Sequence, residues 1–108
     1  VALTRAQVLE RLVEIPGWAL SSRPDSDMVL RREFWTPSYT EAVDLINDVC
    51  QEAEAVNHHP NFQITHHCAA GATVTAELFT HSIAALSEFD MDFAARINRL
   101  MQGGESGN

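Results

Sequence analysis

Five histidines stand out in this chain of 108 residues, and four of them form two adjacent pairs, His58-His59 and His66-His67. The fifth, His81, stands alone. Imidazole changes charge near neutral pH, so a histidine cluster can hold a metal, cap a helix end or pass a proton in either direction. Adjacent His58 and His59 in an extended segment would point to opposite sides. No helical i, i+4 pair and no Cys/His zinc spacing accompanies them, so a metal site is not expected. For any one histidine, capping a carbonyl or packing in a turn is the commoner fate. Elimination of water would need a donor and an acceptor of protons at one carbon, which a cluster supplies without nucleophile or cofactor. Spacing alone does not select that third role.

Other chemistries are poorly supported. All seven basic residues are arginine, so neither a Schiff-base lysine nor a P-loop lysine exists. There is no Gly-x-Ser-x-Gly elbow, and three of only five glycines lie in the tail, which leaves no phosphate-cradling loop. A net charge of −8 argues against a nucleic-acid surface. No apolar run is long enough for a membrane span, and no signal-like segment opens the sequence. Two cysteines, Cys50 and Cys68, are too few for a disulfide scaffold, which points to a reducing cytosolic or organellar setting, with the cytoplasm the expectation. Cys50 falls in an amphipathic run and is expected to be buried.

The elements that must position the histidines follow from capping and periodicity. Thr4 and Gln7 form a capping box ahead of Val8, Leu9, Leu12 and Val13, and Pro16-Gly17 ends that first helix. Trp18 to Leu20 opens a strand, a turn follows at Arg23 to Asp27, and Met28 to Trp35 completes a hairpin. Ser38 and Glu41 cap a second helix, with Ala42, Leu45, Ile46, Val49, Cys50, Ala53 and Val56 on one stripe and acids opposite. Pro60 takes the preceding residue out of the helical region. Phe62 to His67 and Thr73 to His81 read as strands, with His81 on the open face of the second. A last helix opens at Ser87 with Asp90 three positions on, and carries Phe93, Ala94, Ile97, Leu100 and Met101. The order is α-β-β-α-β-β-α: an α+β fold, with a four-stranded antiparallel sheet and helices packed on one face. One domain is expected over residues 1–102, with 103–108 a disordered tail on its Gly/Ser content. A strand out and a strand back would return His81 to the neighbourhood of His58 and His59.

The segment Glu54-Ala-Val-Asn-His58-His59-Pro60 resembles the signature of pterin-4a-carbinolamine dehydratases: an acid, three residues, then His-His-Pro. Thr80-His81 followed by Ala85-Leu86-Ser87-Glu-Phe-Asp90 is similar to that family's Thr-His-x-x-x-Gly-Leu-Thr-x-x-Asp. Gly17-Trp18 and the Phe34-Trp35 strand also fit, and the resemblance spans residues 4–101. It implies the same element order and an enzyme that dehydrates 4a-hydroxytetrahydrobiopterin to quinonoid dihydropterin, with no metal and no cofactor. His58, His59 and His81 are then the catalytic histidines. Glu54 matches the family's acid and would orient His58, while Thr80 and Phe79 would lie on the strand lining the pterin pocket. Trp18 either walls that pocket or belongs to the core, and Asp90 matches a late aspartate that is equally a helix cap. Three features depart from the pattern. The hairpin around 66–71 carries about five extra residues, the usual Tyr-Asn-x-Val is absent, and Ala85 stands where the family has glycine. The family also contains non-enzymatic binding and assembly factors, which makes such a role the alternative. Its members form homodimers and homotetramers.

Overall fold

A computed structural model describes residues 2–106, with the side chains of 81 and 102–106 outside the described residues. The chain runs α1 (Arg5–Arg11), β1 (Ala19–Arg23), β2 (Ser26–Thr36), α2 (Tyr39–Val56), β3 (Asn61–His66), β4 (Ala72–Leu78) and α3 (Glu88–Ser106). This is the order expected from the sequence. The strands form one antiparallel sheet in the order β1-β2-β4-β3, two hairpins joined through β2 and β4. Among the described residues no helix is long and apolar enough to cross a membrane.

Local chemistry sets the element ends. Thr4 Oγ1 accepts from the Gln7 N–H at 3.2 Å while the Gln7 side chain accepts from the Thr4 N–H at 2.9 Å, which satisfies two orphan donors of α1. Ser38 Oγ accepts from the Glu41 N–H in the same way at the start of α2, and its hydroxyl donates to the Glu41 carboxylate. The glycines from 103 onward predict an end to the last helix, yet α3 continues to Ser106. Glycine lowers helix propensity by about 1 kcal/mol without forbidding helical angles. Residues 107–108 lie outside the described residues.

The register stacks core side chains in rows across the sheet. Phe34 faces Val74, which faces Ile64, and Leu30 faces Leu78. Val8 of α1, Ala42, Val49 and Ala53 of α2, and Met91, Phe93, Ala94 and Ile97 of α3 close over these rows. The three helices therefore share one sheet face. Each fully buried aliphatic or aromatic side chain contributes about 1.5–3 kcal/mol by leaving water. Cys50 does not join this core: it is exposed, as is Cys68, and both thiols are free. The fully buried residues of α2 are Ala42, Val49 and Ala53, with half-buried Leu45 and Ile46 packed against the core beside them, while Cys50 faces solvent.

The hairpin tip between β3 and β4 is an ordered turn. A 3-10 turn over Cys68–Ala70 leads to Gly71 at φ +89°, and the His67 N–H bonds the Gly71 carbonyl at 2.8 Å. The Trp35 indole N–H donates to the Ala70 carbonyl at 2.9 Å and holds the tip against β2. His66 meets the Tyr39 ring edge-on, and a ring nitrogen of His67 lies 2.7 Å from Thr73 Oγ1. The second histidine pair thus belongs to the tip, at the end of β3 and β4 remote from Pro60 and Thr80. A Cβ at Gly71 would overlap the Thr36 carbonyl oxygen and crowd the Trp35 ring, at a backbone angle that L-residues rarely adopt. Gly71→Ala should therefore lower unfolding free energy by about 2 kcal/mol or more in urea denaturation. A loss under about 0.5 kcal/mol would contradict the tight packing of this turn.

Candidate active site

Two helix ends meet beyond the C-terminus of β4. Asn57 takes a left-handed conformation (φ 54°, ψ 44°), a common helix stop for Asn, and ends α2. The amides of Asn57 and His58 both close on the Ala53 carbonyl, the latter at 3.1 Å. His58 is therefore held tightly against the helix end, and Pro60 keeps His59 extended.

His58 is largely buried, its side chain 16% exposed. Its Nε2 lies 2.6 Å from Asp90 Oδ1. A carboxylate only accepts, so Nε2 carries a hydrogen, and whenever the ring is neutral its lone pair is on Nδ1. Phe89 and Phe93, one turn apart on α3, hold the ring from two directions with centroids at 6.3 and 6.1 Å.

Asp90 is fully buried. Its Oδ2 accepts from the Ser87 N–H at 2.9 Å and from Thr80 Oγ1 at 2.8 Å. Thr80 has one hydroxyl proton, so in the 2.6 Å contact between Thr80 Oγ1 and Ser87 Oγ the serine donates. Asp90 thus caps the start of α3 through one oxygen while its other oxygen bonds the His58 ring. The start of α3 is also clamped from outside, where the Arg11 guanidinium reaches both oxygens of Glu88 at 2.6 and 2.8 Å. Hydrogen bonding to Glu88, then to Glu14, holds the Arg11 pKa above its usual value.

His59 is 51% exposed, and its Nε2 contacts Glu54 Oε2. Glu54 thus partners His59, not His58 as its place in the motif suggests. A cleft of about 600 Å³ opens here, with His58, His59, Asn61, Thr80, Ser82 and Phe89 in its walls.

The other expected residues separate into two groups. β4 stops at Leu78, and the isolated Thr80–Ala85 bridge closes a tight loop that begins with a 3-10 turn over His81–Ile83. His81 is therefore not on a strand face as its alternation predicts. Its neighbours Thr80 and Ser82 both line the cleft, while its own side chain lies outside the described residues. Ala85 has no positive φ; the left-handed residue is Ala84, at φ 50°. Phe79 and Trp18 stand apart from the cleft walls. Phe79 is buried under the Arg23 guanidinium. Trp18 packs edge-on to Phe34, and its indole N–H donates to Asn98 Oδ1 at 2.9 Å, so it is a core residue.

Sequence reasoning missed Phe89, Asn61 and Ser82. Phe89 carried a usable signal: a large apolar residue, 69% exposed, in the first helical turn one turn before Phe93. Among the described residues no three His, Cys, Asp or Glu side chains are grouped to hold a metal.

A four-stranded antiparallel sheet covered by helices defines the fold class, and solved structures share that fold. A structure described as a transcriptional coactivator/pterin dehydratase from Brucella melitensis superposes with a TM-score of 0.74 at 23% identity, covering 92% of this chain and 97% of that one. A pterin dehydratase-like protein described as a RuBisCO assembly factor in the alpha-carboxysome gives 0.57 at 21% identity, covering 81% and 92%. At those identities the likeness is one of fold. The family model described as Pterin 4 alpha carbinolamine dehydratase matches residues 1–100. A Prochlorococcus marinus (strain MIT 9303) protein described as "Putative pterin-4-alpha-carbinolamine dehydratase" is 37% identical over 101 residues, covering 94% of this chain and 95% of that protein. The mitochondrial pterin-4-alpha-carbinolamine dehydratase 2 of Arabidopsis thaliana is 32% identical over 99 residues, 92% of this chain and 50% of that one. The chain belongs to the pterin 4 alpha carbinolamine dehydratase family.

Removing the Asp90 carboxylate would leave the Ser87 amide, the Thr80 hydroxyl and the His58 ring without their common acceptor. Asp90→Ala should therefore cost about 2–4 kcal/mol of stability by chemical denaturation. A cost below about 1 kcal/mol would show that the cap and the buried contacts are dispensable.

Proposed function

We propose that this chain dehydrates 4a-hydroxytetrahydropterins, in the setting of tetrahydrobiopterin recycling, by histidine acid–base chemistry in the cleft. The observation that carries the reading is the His58–Asp90 pair beside exposed His59 in a cleft large enough for a bicyclic ligand. Membership of the family supports the substrate class.

In the reaction the C4a–O bond breaks and the hydroxyl leaves as water after protonation. The N5–H proton departs, and its electron pair forms the C4a=N5 double bond. His58 takes the N5 proton. The buried Asp90 carboxylate then stabilises the imidazolium that forms, the division of labour of a carboxylate–histidine pair. His59, open to water and supported by Glu54, protonates the leaving hydroxyl and is reprotonated from solvent. His81, between two cleft residues, is the third histidine of the site. Asp90 and Glu54 act as positioning residues, and Thr80 fixes Asp90. A carbinolamine is already activated, so positioning and proton transfer are sufficient chemistry without metal or cofactor.

The chain acts as one domain over residues 1–102 and as a homodimer or homotetramer. The outer edges of β1 and β3 leave backbone groups unpaired within the monomer, and Tyr39 and Val43 expose apolar surface on α2. Free, exposed Cys50 and Cys68 fit a reducing, cytoplasmic location. The alternative is a binding or assembly role, favoured by the assembly-factor description of one structural neighbour.

Stopped-flow dehydration of synthetic 4a-hydroxytetrahydropterin separates the two. Wild-type protein should speed the reaction well above buffer, and His59→Ala should lower kcat/KM by about a hundredfold or more. Wild-type rates equal to buffer would contradict the enzyme. Asp90→Asn gives a finer test. Its amide oxygen can keep the Ser87 and Thr80 bonds, while its NH₂ faces His58 Nε2 and forces the hydrogen to Nδ1. Stability should fall by about 1 kcal/mol or less, and kcat should fall by about a hundredfold or more. Unchanged kcat would remove His58 from proton transfer.

A further inference from the structure

Helix α3 carries two phenylalanines one turn apart, and the fold buries only one of them. Phe93 belongs to the core, whereas Phe89 is 69% exposed. A phenyl ring left in water forgoes the stabilisation that burial would bring. Its face also lacks a covering cation. Guanidinium groups lie over the rings of Phe34 and Phe79, but among the described residues none lies over Phe89.

This exposed ring is nonetheless held in place. Its backbone is fixed on both sides, by the Arg11 guanidinium on the Glu88 carboxylate and by the three donors on buried Asp90. Its centroid lies 6.3 Å from that of His58, and the two ring planes are inclined by 33°. Phe93, by contrast, meets His58 edge-on at 84°. Phe89 lines the same cleft as His58, His59 and Thr80, together with exposed Val56. A flat ligand laid against Phe89 would therefore lie alongside the His58 ring, on apolar surface, within walls that hold both histidines.

We propose that Phe89 is the stacking platform of the cleft, on which the bicyclic ring of the pterin rests. The proposal rests on the pterin reading for the identity of the ligand and adds to it a residue outside the histidine motifs. Stacking favours flatness, because two ring faces touch over their whole area only when both are planar. The 4a-carbinolamine is tetrahedral at C4a, and that carbon becomes trigonal as the C4a=N5 bond forms. Phe89 therefore favours the flattened ring over the puckered one, and takes no part in proton transfer. An aliphatic side chain at this position would keep apolar contact and lose the preference.

Calorimetric titration of the full chain tests this, with biopterin as the flat ligand and tetrahydrobiopterin as the puckered one. Phe89→Leu should weaken biopterin binding about tenfold and tetrahydrobiopterin binding about twofold or less. Phe89→Trp should bind biopterin within about twofold of the wild type. Because Phe89 is exposed, the urea midpoint and gel-filtration volume of Phe89→Leu should match those of the wild type. Unchanged binding in Phe89→Leu, equal weakening of the two ligands, or a tryptophan variant as weak as the leucine one would overturn the platform and leave the pterin reading standing. A shift of Phe89→Leu to a smaller assembly would make the ring a subunit contact and overturn the platform as well. Wild-type protein that binds neither pterin and dehydrates no faster than buffer would refute the pterin reading and the platform with it.

Discussion

One buried carboxylate sets the geometry on which the candidate site depends. Asp90 accepts from the Ser87 amide at the head of α3, from the Thr80 hydroxyl beyond the end of β4, and from the His58 ring at the foot of α2. Three separate segments thus converge on one side chain with no exposure to solvent. A charged group leaves water at a high cost unless donors replace its hydration, and here they do. That cost works as a constraint. Any arrangement of α2, α3 and the loop after β4 that failed to deliver those donors would strand the carboxylate, so the low-energy arrangement is the one in which the cleft is assembled.

The remaining elements support that convergence. Left-handed Asn57 stops α2 and closes the His58 amide onto Ala53. Phe89 and Phe93 hold the ring that Asp90 bonds, and Phe93 also roots the same helix in the core. Arg11 fastens the first turn of α3 to α1, and the Leu3 amide bonds the Leu86 carbonyl just before it. The hairpin tip at 66–71 lies at the opposite end of its hairpin, where it packs on Trp35 and leaves the cleft walls untouched.

Much of this was legible in the sequence because it is local. Capping boxes span four residues, helical stripes repeat every turn, and the Asn57-His58-His59-Pro60 run carries its own helix stop, so element order and the first histidine pair followed directly. What failed was non-local. Alternation extended β4 to His81, yet the strand ends at Leu78, where Thr80 turns to pair with Ala85. Periodicity put Cys50 in the core, but α2 turns Ala42, Leu45, Ile46, Val49 and Ala53 inward and leaves Cys50 exposed. Trp18 and Phe79 are large aromatics in the right segments, and only packing reveals that they face the core and Arg23. The partner of His58 lies 32 residues away and that of His59 five residues away. Proximity along the chain therefore assigned Glu54 to the wrong ring.

The most direct test of this account is the tautomer of His58, read from long-range ¹H–¹⁵N correlations of the imidazole at neutral pH. Donation to a buried carboxylate predicts a ring whose hydrogen is held on Nε2, a fixed position lost when Asp90 is replaced by alanine. A ring with its hydrogen on Nδ1, or one averaging between both nitrogens as a free imidazole does, would contradict the claim that Asp90 organises the site.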